Sequence, residues 1–411
     1  MKRLVLIFFI TILSSHNIWS QGVISLSGKV EDASSKRPLG FASIHLSGST
    51  TSIVTNTDGM FVFKVPAEAT GDTVIISYLG YKSRKIAVSD FEEREMNIPL
   101  TPSIITLKPI TIRPQDASSI VKMALSRTKL NYSQSPLRMT AFYREMIQKR
   151  NTYVSINEAV LDIAKAPYTG YRSDMLGIYK ARGNYDANRV DTLMVKFQGG
   201  PNSAFELDIM KNPFLGVDPF IIDEIYNFKI SDPATIDDKL FYVIDFDQHN
   251  KLNDIFFRGK IFIEAESFAV GRIEFAMNVE DNPNANQLFI KKKPSSLKMD
   301  VLAANYLVNY KQFDSLWYFD YSRTEVKFAA KWDKKWFRNI YTISSEVAVT
   351  DIKPTQFKIE SQNRVRSRDI MSEKVNDFTD ENFWEDYNVI EPEASIEKVI
   401  SRIVRQLRKR E

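Results

Sequence analysis

No cysteine occurs among the 411 residues. Disulfides, thiolate metal sites and a lipid-anchored amino terminus are thereby excluded, since each needs a thiol. Histidine is almost as scarce: His16 lies in the leading segment, which leaves His45 and His249. A metallopeptidase gathers neutral imidazoles and a carboxylate on one ion, usually with two histidines close together. Neither an H-E-x-x-H nor an H-x-x-E element is present. A Ser-His-Asp triad would need His45 or His249 as its base. His45 falls in an expected strand from Phe41 to Leu46 and His249 in a polar turn, and no G-x-S-x-G accompanies either. The adjacent glycines of Gln198-Gly199-Gly200-Pro201 lack the lysine and helix pattern of a phosphate loop and read as a turn. No catalytic residue, metal or cofactor is expected, and sequence assigns no ligand-binding residue.

Long apolar runs are missing too. No stretch reaches about 18 consecutive apolar residues, the length a membrane-spanning helix requires. The 55 basic and 51 acidic residues are mixed along the chain and leave a formal charge of +4, so nucleic acid is not an expected partner. Lys2 and Arg3 followed by the apolar run Leu4 to Leu13 have the form of a signal peptide, with cleavage expected after Ser20 and before Gln21.

Acidic groups offer weak sites. Asp245, Asp247 and Asn250 alternate as calcium ligands can, yet lack the glycine and distal glutamate of an EF-hand loop, so a solvated strand end is the plainer reading. Glu264 with Glu266, or Asp237 with Asp238, have the residue types of a glycosidase pair, but spacing along the chain does not give the separation such chemistry needs. Trp317-Tyr318-Phe319, Trp332, Trp336-Phe337 and Phe383-Trp384 suit a core more often than a sugar-stacking or apolar cavity.

Residues 22 to about 100 alternate short β-rich runs with turn signals at Ser34 to Pro38, Asn56 to Gly59 and Thr70 to Asp72, the spacing of an all-β sandwich. Phe61 and Phe63 alternate with Val62 and Lys64 directly after Asp58-Gly59, which predicts a hairpin. The ordered motifs Gly28-Lys29-Val30, Pro38-Leu39-Gly40-Phe41-Ala42-Ser43-Ile44, Thr57-Asp58-Gly59-Met60-Phe61-Val62-Phe63 and Tyr78-Leu79-Gly80-Tyr81-Lys82 resemble the carboxypeptidase regulatory-like domain. That resemblance implies a seven-stranded, transthyretin-like sandwich, a non-catalytic module that precedes many partners, TonB-dependent transporters among them.

Pro99, Pro102, Pro109 and Pro114 then favour an extended linker or edge strand. Asp116 is placed to cap a helix that buries Ile120, Val121, Ala124 and Leu125 and ends near Asn131. From Met139 to Val349 strands return, several alternating apolar and charged residues as a sheet with one wet face does. Phe142-Tyr143-Arg144-Glu145, Glu158 to Ile163 and the strand-turn-strand from Gly259 to Phe275 are similar to envelope proteins of Bacteroidota, and the last also to the curved half-barrel of periplasmic lipoprotein carriers. Near the carboxyl end Ile396, Val399, Ile400, Ile403, Val404 and Leu407 form one helical stripe, with Arg402, Arg405, Arg408, Lys409 and Arg410 elsewhere.

The expected organisation is a signal peptide (1–20), a regulatory-like β-sandwich (21–101), a linker and helix (102–135), a larger antiparallel sheet or half-barrel (136–375) and an amphipathic helical segment (376–411). The fold class is therefore mainly β, with few helices. The expected function is that of a non-enzymatic exported protein, periplasmic or outer-membrane associated. Its sandwich would be an interaction module and its larger domain would bind an apolar or envelope ligand, a lipid or glycan. The alternative is a structural accessory subunit of an outer-membrane transporter or secretion complex, with an outer-membrane protein as partner.

Overall fold

A computed structural model describes residues 22–91, 94–103, 116–150, 152–185, 200–212, 215, 217–249, 254–280, 282, 284–289, 295–333, 336–378, 387–393 and 396. The expected signal peptide and, apart from Ile396, the expected carboxy-terminal helix lie outside these residues.

The sandwich packs a sheet of β4 (Met60–Pro66), β1 (Val23–Asp32) and β7 (Met96–Leu100) on a sheet of β3 (Ser52–Val54), β2 (Ser43–Leu46), β5 (Thr73–Ser77) and β6 (Arg84–Ala87). Inward positions alternate along β4, burying Phe61, Phe63 and Val65. Pro99 lies in β7, an edge strand that pairs with β1 alone, where a missing N–H costs no ladder bond. The turn at Asn56–Gly59 is present but does not make a hairpin: β3 and β4 belong to opposite sheets. Gly59 has φ +76°, and a Cβ there would stand 2.4 Å from the Val30 carbonyl oxygen, so the turn needs glycine.

After α1 (Ala117–Ser126) and α2 (Thr128–Asn131), β8 (Leu137–Lys149), β9 (Thr152–Lys165) and β10 (Met175–Tyr185) enter a second sheet. α3 (Pro201–Phe205) and α4 (Ile222–Ile225) precede β11 (Tyr226–Ile236), β12 (Lys239–Gln248), β13 (Phe257–Glu264) and β14 (Val270–Met277). Then come α5 (Ala285–Phe289), β15 (Leu297–Phe313), β16 (Leu316–Trp332), β17 (Asn339–Lys353), β18 (Arg364–Val365) and α6 (Met371–Lys374). Together these strands form one open sheet of eleven, ordered β11-β12-β13-β14-β15-β16-β17-β8-β9-β10-β18, with every neighbour antiparallel.

Both faces of the central strands are buried, which corrects the expectation of one wet face. On the inner face Ile120, Val121 and Ala124 of α1 share a core with Tyr143, Phe205, Phe241, Phe319 and Met371. Asp116 starts α1, but its side chain makes no capping bond, contrary to the sequence expectation. On the outer face Phe142, Tyr321 and Ala348 join the core of the sandwich itself. Ser52 donates its hydroxyl to the Val349 carbonyl at 3.0 Å, and Lys311 lies 3.2 Å from Asp320 while donating to the Thr50 carbonyl at 2.9 Å.

The burial of charge on this face centres on Arg144. Its side chain is 2% exposed, 2.7 Å from Glu158, 3.4 Å from Glu346, and donates to the Ile390 carbonyl at 2.6 Å. Burial alone would lower the basicity of the guanidinium; Glu158 and Glu346 outweigh it and hold Arg144 above its ordinary value. The segment carrying Ile390 straps sandwich to sheet. Asn388 accepts from the Lys64 N–H at 2.7 Å and donates to its carbonyl at 2.9 Å, and Glu393 accepts from Thr57 at 2.5 Å and Tyr153 at 3.0 Å.

Removing Arg144 leaves two buried carboxylates with reduced compensation, though Arg182 still pairs with Glu158 and Arg323 with Glu346. Arg144→Ala is therefore expected to lower the unfolding free energy by about 3 kcal/mol in urea titration. A loss below about 1 kcal/mol would show the cluster to be energetically neutral.

Candidate binding groove

The inner face, where a half-barrel carrier would hold an apolar chain, is occupied by the protein's own side chains. Tyr132 packs against Tyr168 at 5.0 Å and Tyr310 at 5.6 Å between ring centroids, and Phe205 against Phe319 at 5.0 Å. Among these rings Lys165 is fully buried, 2.6 Å from Asp174 and 2.7 Å from Asp208, and Tyr310 donates to Asp208 at 2.7 Å. Burial would lower the Lys165 ammonium, but the two carboxylates hold it above its ordinary value, so this is a satisfied ion cluster and not an idle base. Beside it, among the described residues, is a polar hollow of about 330 Å³ bordered by Asp174, Asn202 and Lys211.

A larger space lies on the other side of the sheet. Strands β11 to β15 extend beyond the sandwich, and there the alternation predicted from sequence does leave a wet face. Phe246 and Phe275 turn inward, while Lys229, Asp245, Lys260 and Glu274 are exposed or half-exposed. With Ala276 and Leu307 on the floor and Phe41 of the sandwich at one end, these residues border an open groove of about 860 Å³. The cations and anions interleave: Lys260 is 3.1 Å from Asp245 and Arg272 is 2.7 Å from Glu274. Burial pushes the Asp245 carboxyl up, but a hydroxyl bond from Ser231 and the neighbouring Lys260 prevail and keep it below its ordinary value.

Phe41 is fixed at some cost. Its φ is +65°, a left-handed conformation that strains a bulky residue by about 1–3 kcal/mol. The ring is stacked on Tyr321 at 5.8 Å, with the Arg323 guanidinium 5.1 Å from its centroid. Nearby, the Gly80 N–H donates to the Thr235 carbonyl at 2.8 Å and the Ser83 N–H to Asp238 at 3.0 Å, so the sandwich also grips the β11–β12 turn.

The residues singled out from sequence are dispersed. His45 is in β2, where burial lowers its basicity, and His249 has its Nε2 3.0 Å from the Asp223 carbonyl oxygen. Asp245 and Asp247 both border the groove, while Asn250 lies outside the described residues. Glu264 accepts from the Ser267 N–H at 2.6 Å and its hydroxyl at 2.5 Å, whereas Glu266 is exposed. Asp237 and Asp238 form the β11–β12 turn with φ of +50° and +59°. Trp317 and Phe319 are core, Trp332 is half-buried, Trp336 and Phe337 are exposed, and Phe383 and Trp384 are not among the described residues. Gly200, with φ +43°, is in a turn as expected, and the five-residue α3 follows it, which the sequence pattern did not indicate; Gln198 and Gly199 lie outside the described residues. Among the described residues no three metal-ligating side chains gather.

The open edges of the large sheet are blunted. β11 carries Pro233 within a bulge between Ser231 and Ala234, and β10 is paired by the two-residue β18 only at Leu176 and Gly177 while the helical turn Val375–Phe378 packs against it. Both features discourage addition of a foreign strand.

Residues 26–112 match the family model of the CarboxypepD_reg-like domain, so the amino-terminal sandwich is a domain of that kind. No curated protein matches the chain. Solved structures with detectable likeness include MucB, at 12% identity and TM-score 0.20, covering 58% of this chain and 98% of that one. A DUF1329 family protein from Desulfovibrio piger follows at 9% identity and TM-score 0.27, covering 60% and 96%. A LolA superfamily protein from Nitrosomonas europaea has 9% identity and TM-score 0.22, covering 59% and 96%.

One inner-face group is poised to titrate near neutrality. Burial pushes the Glu145 carboxyl up from 4.5 to about 7, against bonds from Tyr143 at 3.1 Å and Asn157 at 3.4 Å. Its proton is kept in the folded state over a range where the unfolded chain has lost it. Stability is therefore fullest below about pH 4.5 and falls as pH rises through about 7, by about 3 kcal/mol from this group. Glu145→Gln should flatten that dependence in urea unfolding at about pH 5 and about pH 7.5. Equal slopes in the two proteins would remove Glu145 as its source.

Proposed function

We propose that this is a non-enzymatic exported envelope protein that binds an amphipathic envelope ligand, a lipid or glycan, in the groove between its sandwich and the outer face of β11 to β15. Export is supported by the basic and apolar start of the sequence. The observation that carries the binding reading is the groove itself. It has about 860 Å³ of open volume, a floor of Ala276 and Leu307, and walls bearing charges of both signs. A ligand with an apolar body and several polar groups would bury the first on the floor and present the second to Lys229, Asp245, Lys260 and Glu274. The sandwich serves as the end wall through Phe41, which gives the strained conformation of that residue a purpose beyond packing.

Ala276 is half-buried and pairs across the strands with Arg258 and Asn305, so a tryptophan there would stand in the groove without entering the core. Native mass spectrometry with lipid extraction on protein purified from its own envelope should find lipid or glycan bound. Ala276→Trp should reduce its occupancy by about tenfold. Ligand retained in full by that variant would place the site elsewhere. A clean apo mass with a stoichiometric protein partner would favour the accessory-subunit reading instead.

A further inference from the structure

We infer that the tip of the β16–β17 hairpin is a docking point for an anionic lipid surface. Trp336 and Phe337 stand side by side in this turn, 92% and 78% exposed. An adjacent aromatic pair so open to water gains nothing for the fold, whereas indole and phenyl rings are favoured at the interface of a bilayer. The tip is also distant from the sandwich. The sandwich contacts β16 as far along as Arg323, nine residues before Trp332, which at the strand rise is about 30 Å away.

The charges around the tip select the kind of surface. Arg338 follows the aromatic pair, Lys331 precedes the turn, Lys298 is directly opposite Lys331 in the β15–β16 register, and the Lys149–Arg150 turn is tied in by the Arg150 N–H bonding to the Ile340 carbonyl at 2.8 Å. Asp300, which lies 3.4 Å from Arg338, and Asp333 are the carboxylates of this group. Cations therefore prevail by five to two among these described residues. Lys298 and Lys331 are both exposed, and neither has a carboxylate partner among the described residues. Like charges placed directly across a strand pair repel, and an anionic surface relieves that repulsion. The other exposed apolar pair, Phe220 with Ile221, shows the contrast: Asp218, Asp223 and Glu224 surround it in sequence, and an anionic membrane would repel it.

An aromatic anchor and a basic patch are two weak signals that together give stable but reversible adsorption. Docking through the tip leaves the outer-face groove in water, so this inference stands whether or not the groove binds a ligand.

The test is co-sedimentation of the full chain with vesicles of phosphatidylcholine alone or with about one third phosphatidylglycerol. Binding to the anionic vesicles should be about tenfold stronger, and added salt should weaken it. Trp336→Ser with Phe337→Ser should lower it by about tenfold at unchanged melting temperature, because neither side chain is packed. Lys298→Gln with Lys331→Gln should weaken anionic binding selectively, at equal or higher melting temperature. Equal binding to neutral and anionic vesicles overturns the proposal. So does binding that survives loss of both aromatic residues, which would assign adsorption to another element. A dimer that dissociates in the aromatic variant would identify a second copy of the chain as the true occupant.

Discussion

Arg144 is a charge in a place where water cannot reach it, and the arrangement of the whole chain follows from what is needed to keep it there. Its partners come from β9, from β17 and from the strap at Ile390. A guanidinium removed from water is tolerated only when its donors are satisfied and opposite charge is adjacent. Meeting that condition brings residue 390 over the outer face of the sheet. The same strap then reaches the sandwich through Asn388, whose amide pairs with both backbone groups of Lys64 as a neighbouring strand would. The sandwich is thus fastened at both ends of the sequence, and Phe142, Tyr321 and Ala348 of the large sheet complete its core. Domains joined by a proline-rich linker usually move independently unless a large apolar interface joins them. Here the shared core and the strap supply one.

The two faces of the eleven-stranded sheet are consequently unequal. Helices α1, α3 and α6 close the inner one over tyrosine and phenylalanine, with Lys165 neutralised by Asp174 and Asp208. The outer face is covered over β8, β16 and β17 and left open over β11 to β14, where its side chains are charged. The boundary between the covered and open parts is Phe41, half-buried and strained. A groove arises at that boundary because the sandwich meets β11 and β12 only at the turn between them and leaves the outer face beyond it open.

Much of the fold was legible wherever the signal was local. The sandwich motifs, the Phe61 and Phe63 alternation, the α1 stripe and the β13–β14 pair all depend on residues close in sequence, and all appear. Where partners are distant, the same patterns mislead. Asn56 to Gly59 specify a tight turn, but nothing local says whether the following strand returns beside β3 or crosses to the other sheet, and it crosses. The alternation of apolar and charged residues between Met139 and Val349, where Arg144, Glu158 and Glu346 lie, suggests a wet face because charged residues at alternate positions usually are one. Only the presence of a second domain on that face turns them into a buried cluster, and no residue nearby announces it. The groove is hidden for the same reason: Asp245 and Asp247 show only a spacing, while Phe41, which closes the groove, is just over two hundred residues earlier.

How the chain can engage anything else is constrained by its edges. A large antiparallel sheet ordinarily offers its outermost strands as templates for pairing. At one edge β11 has a proline within a bulge, with Lys229 and Asp232 exposed beside it; at the other, β10 is met by the short β18 and by the helical turn Val375–Phe378. Helices close the inner face and the sandwich covers the middle of the outer face. Recognition by main-chain pairing at either end of this sheet is therefore disfavoured, and recognition by side chains on the remaining surfaces is favoured. Those surfaces differ in chemistry. The groove balances its charges in close pairs and offers an apolar floor, as suits a ligand held by shape and several polar contacts. The hairpin tip leaves Lys298 and Lys331 without a carboxylate partner among the described residues, near two open rings, as suits an extended surface of opposite charge that need not fit any shape. A protein built this way can be held at a surface by one hairpin while its groove, on other strands of the same sheet, remains free to exchange what it binds.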